Sequence, residues 1–167
     1  MKNPSTFFFY FSTNKKPNIT TQRLPFHLTY STLVSWGFKF KEEEIDLSSL
    51  NIGSVEANLF SKFNCLKKVT LKNNKLLRLF QNTFIGCSCL LNIDMSFNRL
   101  SQLQQGDFDG ALNLQSIHLN NNLIEHIDFN TFLNLPHVVE YNFDKNPVTE
   151  LYNFTLVNGI LTSNVLG

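Results

Sequence analysis

Charge is scarce and evenly split in this 167-residue sequence: 14 basic side chains stand against 13 acidic ones, for a net charge of +1. A nucleic-acid-binding face needs a basic excess, so nucleic acid is not an expected partner. Cysteine is rarer still, with only Cys65, Cys87 and Cys89, and an odd count forbids a fully paired monomer. No apolar run approaches the roughly 18 residues of a membrane span. The aromatic run from Phe7 to Phe11 is shorter than the apolar centre of a secretory leader, and no small-residue cleavage site follows it. It reads as a strand-like or loose aromatic patch.

Catalytic constellations are missing as well. No nucleophile stands with a base and an orienting group, and there is no phosphate-cradling glycine loop, metal-ligand cluster or carboxylate pair. Asp107 and Asp109, in Gly106-Asp107-Phe108-Asp109-Gly110, lack the ligand spacing of a calcium loop and read as solvated turn carboxylates. Cys87-x-Cys89 would need further metal ligands, which His118 and His126 are not placed to supply. No cofactor, no metal and no enzymatic activity are expected.

What is present is a repeat. Leu66, Val69, Leu71, Leu76 and Leu79 are apolar, with Asn74 among them and Phe84 beyond. A step of 24 gives Leu90, Ile93, Met95, Asn98, Leu100, Leu103 and Phe108. The next gives Leu114, Ile117, Leu119, Asn122, Ile124, Ile127 and Phe132, and another gives Val138, Tyr141, Phe143, Asn146, Val148 and Leu151, with Leu156 in the Phe slot. Stepping backwards gives Ile45, Leu47, Ile52, Val55 and Phe60, with Glu42 in the first slot and Leu50 in the Asn slot. Five units result: 42–65, 66–89, 90–113, 114–137 and 138–161.

The spacing L-x-x-L-x-L-x-x-N-x-L resembles the leucine-rich-repeat family. The 24-residue period with Phe in the second half is similar to the subtype common in animal extracellular proteins, including Toll-like and adhesion-type ectodomains. The Gly-x-Ile-Pro signature of the plant receptor variant is absent, and the units are shorter than the cytosolic ribonuclease-inhibitor type. The resemblance implies an α/β-type repeat solenoid: a right-handed horseshoe arc with a parallel concave sheet and an irregular or short-helix convex side. It further implies a non-catalytic protein-binding module, extracellular or at the cell surface, as in receptor ectodomains and other signalling glycoproteins. An intracellular scaffold or adaptor is the alternative that the unseen leader keeps open. A substrate-selecting part of a larger enzyme or receptor is another.

The residue types fit such a coil. Val69-Thr70-Leu71 alternates inward and outward, as a half-buried strand does. Asn74, Asn98, Asn122 and Asn146 fall where the chain turns inward, and an amide side chain both donates and accepts. They are expected to form a ladder satisfying backbone groups that cost about 1–3 kcal/mol each when bare. Phe60, Phe84, Phe108 and Phe132 should stack as a spine inside the convex side.

A solenoid exposes core at its ends unless capped. Residues 1–41 fit no unit; 1–30 read as loosely ordered and 31–41 as a strand cap. There Trp36, Phe38 and Phe40 alternate with Gly37 and Lys39, which predicts a strand beside the first repeat strand. At the other end, Asn146-Pro147 resembles the opening of a closing cap, but the Trp and cysteines that should follow are missing. Residues 162–167 read as the start of a sixth unit, with Val165 in an apolar slot, or as a truncated end. Either the chain belongs to a longer parent, or a short solenoid leaves its end open or buries it by dimerising.

A macromolecular partner, most simply a protein, is expected on the concave face. The outward slots beside the second strand apolar residue are Asp46 and Ser48, Thr70 and Lys72, Asp94 and Ser96, His118 and Asn120, Asn142 and Asp144. The next slot holds Ser49, Asn73, Phe97, Asn121 and Lys145. Phe97, with Arg99 close in sequence, has the composition of an interface hot spot, or it packs on sheet neighbours such as Asn73 and Asn121. Cys65 and Cys89 share a slot on successive turns, a spacing a disulfide accepts; otherwise they are ordinary thiols, as Cys87 is at a late apolar slot. Asn18-Ile19-Thr20 and Asn153-Phe154-Thr155 are N-glycosylation sequons.

Overall fold

The computed structural model describes residues 24–128, 130–148, 150–151, 154–157 and 160–163. In chain order the elements are β1 (Phe26–Leu28), α1 (Tyr30–Ser35), β2 (Glu44–Asp46), β3 (Ile52–Val55), a 3-10 turn (Leu59–Lys62), β4 (Lys68–Thr70), β5 (Asn92–Asp94), β6 (Gln102–Leu103), β7 (Ser116–His118), β8 (His126–Ile127), β9 (Glu140–Asn142), β10 (Glu150–Leu151), β11 (Phe154–Val157) and β12 (Ile160–Ser163). Strands β2, β4, β5, β7 and β9 pair in parallel, and Ile45, Val69, Ile93, Ile117 and Tyr141 lie in one register row. The molecule is therefore a leucine-rich-repeat-type solenoid of parallel strands with little helix. The inward members of the row are buried from Ile45 to Ile117. On the convex side the returning chain forms short turns and the parallel pairs β1–β3 and β6–β8.

The asparagines tie each turn to the one before it. Asn98 donates from Nδ2 to Leu71 O (2.9 Å) and Met95 O (3.0 Å) and accepts the Leu76 N–H at Oδ1 (3.1 Å). Asn122 does the same with Met95 O, Leu119 O and Leu100 N–H. Asn146 repeats it with Leu119 O, Phe143 O and Ile124 N–H. Asn74 accepts from both Leu50 and Ile52 N–H and donates to Leu47 O and Leu71 O. Each side chain meets groups the inward turn would otherwise leave unpaired. Leu50, the exception, is itself buried.

The phenylalanines stack behind this ladder. Ring centroids lie 5.6 Å apart for Phe60–Phe84, 6.3 Å for Phe84–Phe108 and 5.9 Å for Phe108–Phe132. Interplanar angles are 5°, 4° and then 28°. Beyond Phe132 the stack gives way to edge contacts with Tyr141 and Phe143.

The N-terminal flank departs from the expected strand cap. Residues 31–41 contain no strand; most of α1 lies there instead, capped by Thr29 Oγ1 accepting the Thr32 N–H. The Trp36 N–H still bonds to helix carbonyls, and Gly37 then takes φ +86°. That left-handed residue, which glycine adopts at no steric cost, ends the helix and breaks any extended run through 36–40. Trp36 and Phe38 are buried while Phe40 is exposed, so the aromatic alternation marks a helix end and turn. Residues expected to be loose contribute a strand: β1 pairs with β3, and Phe26 packs edge-on against Trp36.

The C-terminal end departs too. Instead of a further parallel turn, β11 and β12 pair antiparallel, and β12 adds antiparallel to β9 through Ile160 and Asn142. Residues 162 and 163, the first of the span 162–167 expected to open a further unit or a truncated end, lie in β12. The sequence between Val157 and Ile160 is Asn158-Gly159, the pair most favoured in two-residue hairpin loops. Val165 lies outside the described residues.

Candidate functional site

Each of the parallel strands β2, β4, β5, β7 and β9 of the concave sheet is three residues long, and its first and third residues face outward. This gives two rows across the turns. One is Glu44, Lys68, Asn92, Ser116 and Glu140; the other is Asp46, Thr70, Asp94, His118 and Asn142. The second row contains the expected residues. The first row was missed, although strict alternation about Val69 or Ile93 assigns the preceding residue to the same face.

The two rows enclose a concave cavity of about 390 Å³ lined by Lys68, Asn92, Ile93, Asp94, Ser116, His118 and Glu140. Its floor is Asn92 Nδ2 donating to Ser116 Oγ at 2.7 Å. Asp94 is held by Ser96, whose N–H and hydroxyl donate to Oδ1 at 2.9 and 2.6 Å. Asp46 is held in the same way by Ser48. His118 Nε2 lies 3.5 Å from Glu140 Oε1.

Beyond the strands, the slot preceding the Asn ladder has one conformation in every turn. Ser49, Asn73, Phe97, Asn121 and Lys145 take φ of 62°, 55°, 56°, 57° and 58°. Asparagine tolerates this left-handed region and a bulky side chain does not. Phe97 is nonetheless there, 45% exposed, with the Lys72 ammonium 5.3 Å from its ring centroid. Asn73 instead donates to Ser49 Oγ. Thr70, Asn120 and Asn142 are partly buried, Lys72 and Asp144 are exposed, and Ser96 is buried. Asn142 Oδ1 accepts the Asp144 N–H. Arg99 is exposed but lies past Asn98, where its N–H bonds to Leu76 O; the structure does not bring it into the strand rows.

The description "BspA type Leucine rich repeat region" matches residues 36–161 in 6 copies. The chain belongs to the BspA-type leucine-rich-repeat family. This match begins within the N-terminal flank. A solved structure described as "Crystal structure of TLR13-ssRNA13 complex" is similar to this leucine-rich-repeat chain at 18% identity and a TM-score of 0.53, over 79% of this chain. It shares the fold, and the chain spans 22% of that protein's length. A search of curated protein sequences gave no match.

Other expected features of the leucine-rich-repeat chain lie off the concave face or outside the described residues. Cys65 and Cys89 are exposed free thiols and Cys87 is a buried one; burial pushes the Cys87 thiol up to about 12. Lys67, between the exposed pair in sequence, bonds Glu43 at 2.9 Å, which holds its ammonium above the usual lysine value. Asp107 is not the solvated carboxylate expected. It is buried, accepts the Gln104 N–H at 2.7 Å, and burial pushes it up to about 6. The sequons at Asn18 and Asn153 lie outside the described residues. Among the described residues no helix is long and apolar enough to cross a membrane, and no group of three or more His, Cys, Asp or Glu is placed to hold a metal.

Proposed function

We propose that the chain is a non-catalytic recognition module that docks a protein partner on its concave sheet face. The observation that supports this is Phe97. Its backbone sits in a region unfavourable to a bulky residue, and its ring stays 45% exposed. Strain of this kind concentrates at functional sites, and an exposed aromatic is a common interface anchor. The rows around it supply polar groups for a rim: Asp46, Thr70, Lys72, Asp94, His118, Asn120, Asn142 and Asp144. Affinity capture from the native source, with the parent and Phe97→Ala proteins side by side, tests the reading. A partner retained by the parent and lost by the variant supports it; a partner bound equally by Phe97→Ala and by Asp94→Asn with His118→Ala removes it.

The proposed setting is extracellular or at the cell surface, as part of a longer receptor-type protein, with glycans on Asn18 and Asn153 and a turn-to-turn Cys65–Cys89 bridge. A second reading, an intracellular scaffold, is favoured by Cys65 and Cys89 being exposed free thiols, the usual state in a reducing compartment. Intact mass of the native protein before and after N-glycan removal, with thiol counting, separates the two. Loss of glycan mass and a single free thiol support the first, while unchanged mass with three free thiols supports the second.

A further inference from the structure

The concave cavity mixes charge signs unevenly. Asp94 and Glu140 bring two carboxylates and Lys68 one ammonium, with His118 between them. The floor is already spoken for: the Asn92–Ser116 bond pins two short side chains between the longer Lys68 and Glu140 of the same row. Asp94 is fixed as well. Both Ser96 bonds fall on Oδ1, so Oδ2 keeps its acceptor capacity. Glu140 stands two strands away along the sheet, and His118 Nε2 meets only its Oε1, at 3.5 Å. The cavity thus offers two carboxylates on pinned supports, one imidazole face, and a net negative charge when His118 is neutral.

We infer that this cavity receives a basic side chain, arginine above all, projected by the partner that docks on the concave face. The inference rests on the docking reading given above. A guanidinium carries five donors in a rigid plane, and charge-assisted bonds to carboxylates are about twice as strong as neutral ones. Its positive charge balances the lining, and its flat face matches the imidazole wall. About 390 Å³ admits the head group with bridging water. Lys68, on the far wall, faces the partner's backbone carbonyls. An anionic ligand would meet two carboxylates against that one ammonium.

The test uses the full chain, isotope-labelled and titrated with N-acetyl-argininamide. N-acetyl-glutamate amide and a short single-stranded RNA serve as competing probes. The expected result is saturable movement of the Asn92, Ser116 and His118 amide signals with the arginine probe alone. Asp94→Asn and Glu140→Gln should each weaken it ten-fold or more, and Lys62→Gln, exposed at the end of the 3-10 turn and outside the cavity lining, should not. Both acidic-site variants keep the fold, because Asp94→Asn retains the oxygen that Ser96 bonds and Glu140 is exposed at the surface. Movement of the same signals by the glutamate probe or RNA in place of arginine overturns the inference, as does an arginine affinity unchanged in both variants. If a protein partner is captured through Phe97 while the arginine probe fails, this inference falls and the docking reading stands. If the probe binds here but the partner ignores concave substitutions, the cavity chemistry stands and the docking reading falls.

Discussion

Asn98 donates to the carbonyl of Leu71 at 2.9 Å, across 27 residues of sequence and one turn of the coil. The same side chain also serves Met95 O and Leu76 N–H. Asn98→Ala leaves the buried Leu76 N–H without its acceptor, at about 1–3 kcal/mol, while Leu71 O and Met95 O each lose one of two donors and keep Asn74 and Asn122. A loss of roughly 1–3 kcal/mol is therefore expected in urea denaturation. A loss below about 1 kcal/mol would mean that water replaces the amide.

The spine should respond to one missing ring and to one added methyl. Phe108→Ala is expected to cost about 3–5 kcal/mol, as for other buried phenylalanines. Gly110 lies at φ +91°, and a Cβ there would sit 2.5 Å from Ile85 Cα and 2.6 Å from Phe84 O. Backbone cannot yield as a flexible side chain can, so Gly110→Ala should force the Phe84 and Phe108 turns apart. Thermal unfolding of both variants checks this; a Gly110→Ala protein as stable as the parent would show that the turns are not in tight contact.

Phe97→Asn should act on stability and binding in opposite directions. Asparagine is at ease in the left-handed slot that Phe97 occupies, and the expected gain is roughly 0.5–1 kcal/mol after loss of the Lys72 contact. Denaturant midpoints measure it without any partner. A destabilised variant would show that the ring contributes more to the fold than its slot costs.

Asp107 makes stability depend on pH. An unfolded aspartate loses its proton near pH 4, whereas folded Asp107 keeps its own up to about 6. Between those values the folded state binds more protons than the unfolded one. Its stability therefore falls as pH rises through that window, by roughly 2–3 kcal/mol from this group, and the effect is absent below it. Asp107→Asn keeps an acceptor for the Gln104 N–H and carries no charge. It should match the parent near pH 4 and exceed it near pH 7.5 in chemical denaturation; identical pH profiles would refute the assignment.

The interior was legible wherever the period ran unbroken. Asn74 to Asn146 and Phe60 to Phe132 recur because each turn must bond and stack on an identical neighbour, so one step locates every contact. The ends have no such neighbour to copy. At Trp36-Gly37-Phe38 the same alternation serves a helix end and a turn, and Gly37 was the residue that distinguished them. At Asn158-Gly159 a local hairpin signal competed with the repeat register, and the pairing of β12 on β9 follows the hairpin. On the concave face, the second outward row was readable from alternation, but the cavity between Lys68 and Glu140 depends on how far unlike side chains reach across four strands. Burial of Asp107 was hidden because its short sequence between two glycines looks like an exposed turn.

The spine is parallel from Phe60 to Phe108, tilts by 28° at Phe132, and ends in edge contacts at Tyr141 and Phe143. In the language of coupled units, the interfaces joining the first turns are alike and the last is different. Opening of the final turn and its hairpin therefore forfeits little of the cooperative energy shared by the others. The molecule should unzip from that side first, and a partner spanning β4 to β9 would bind the weak joint shut.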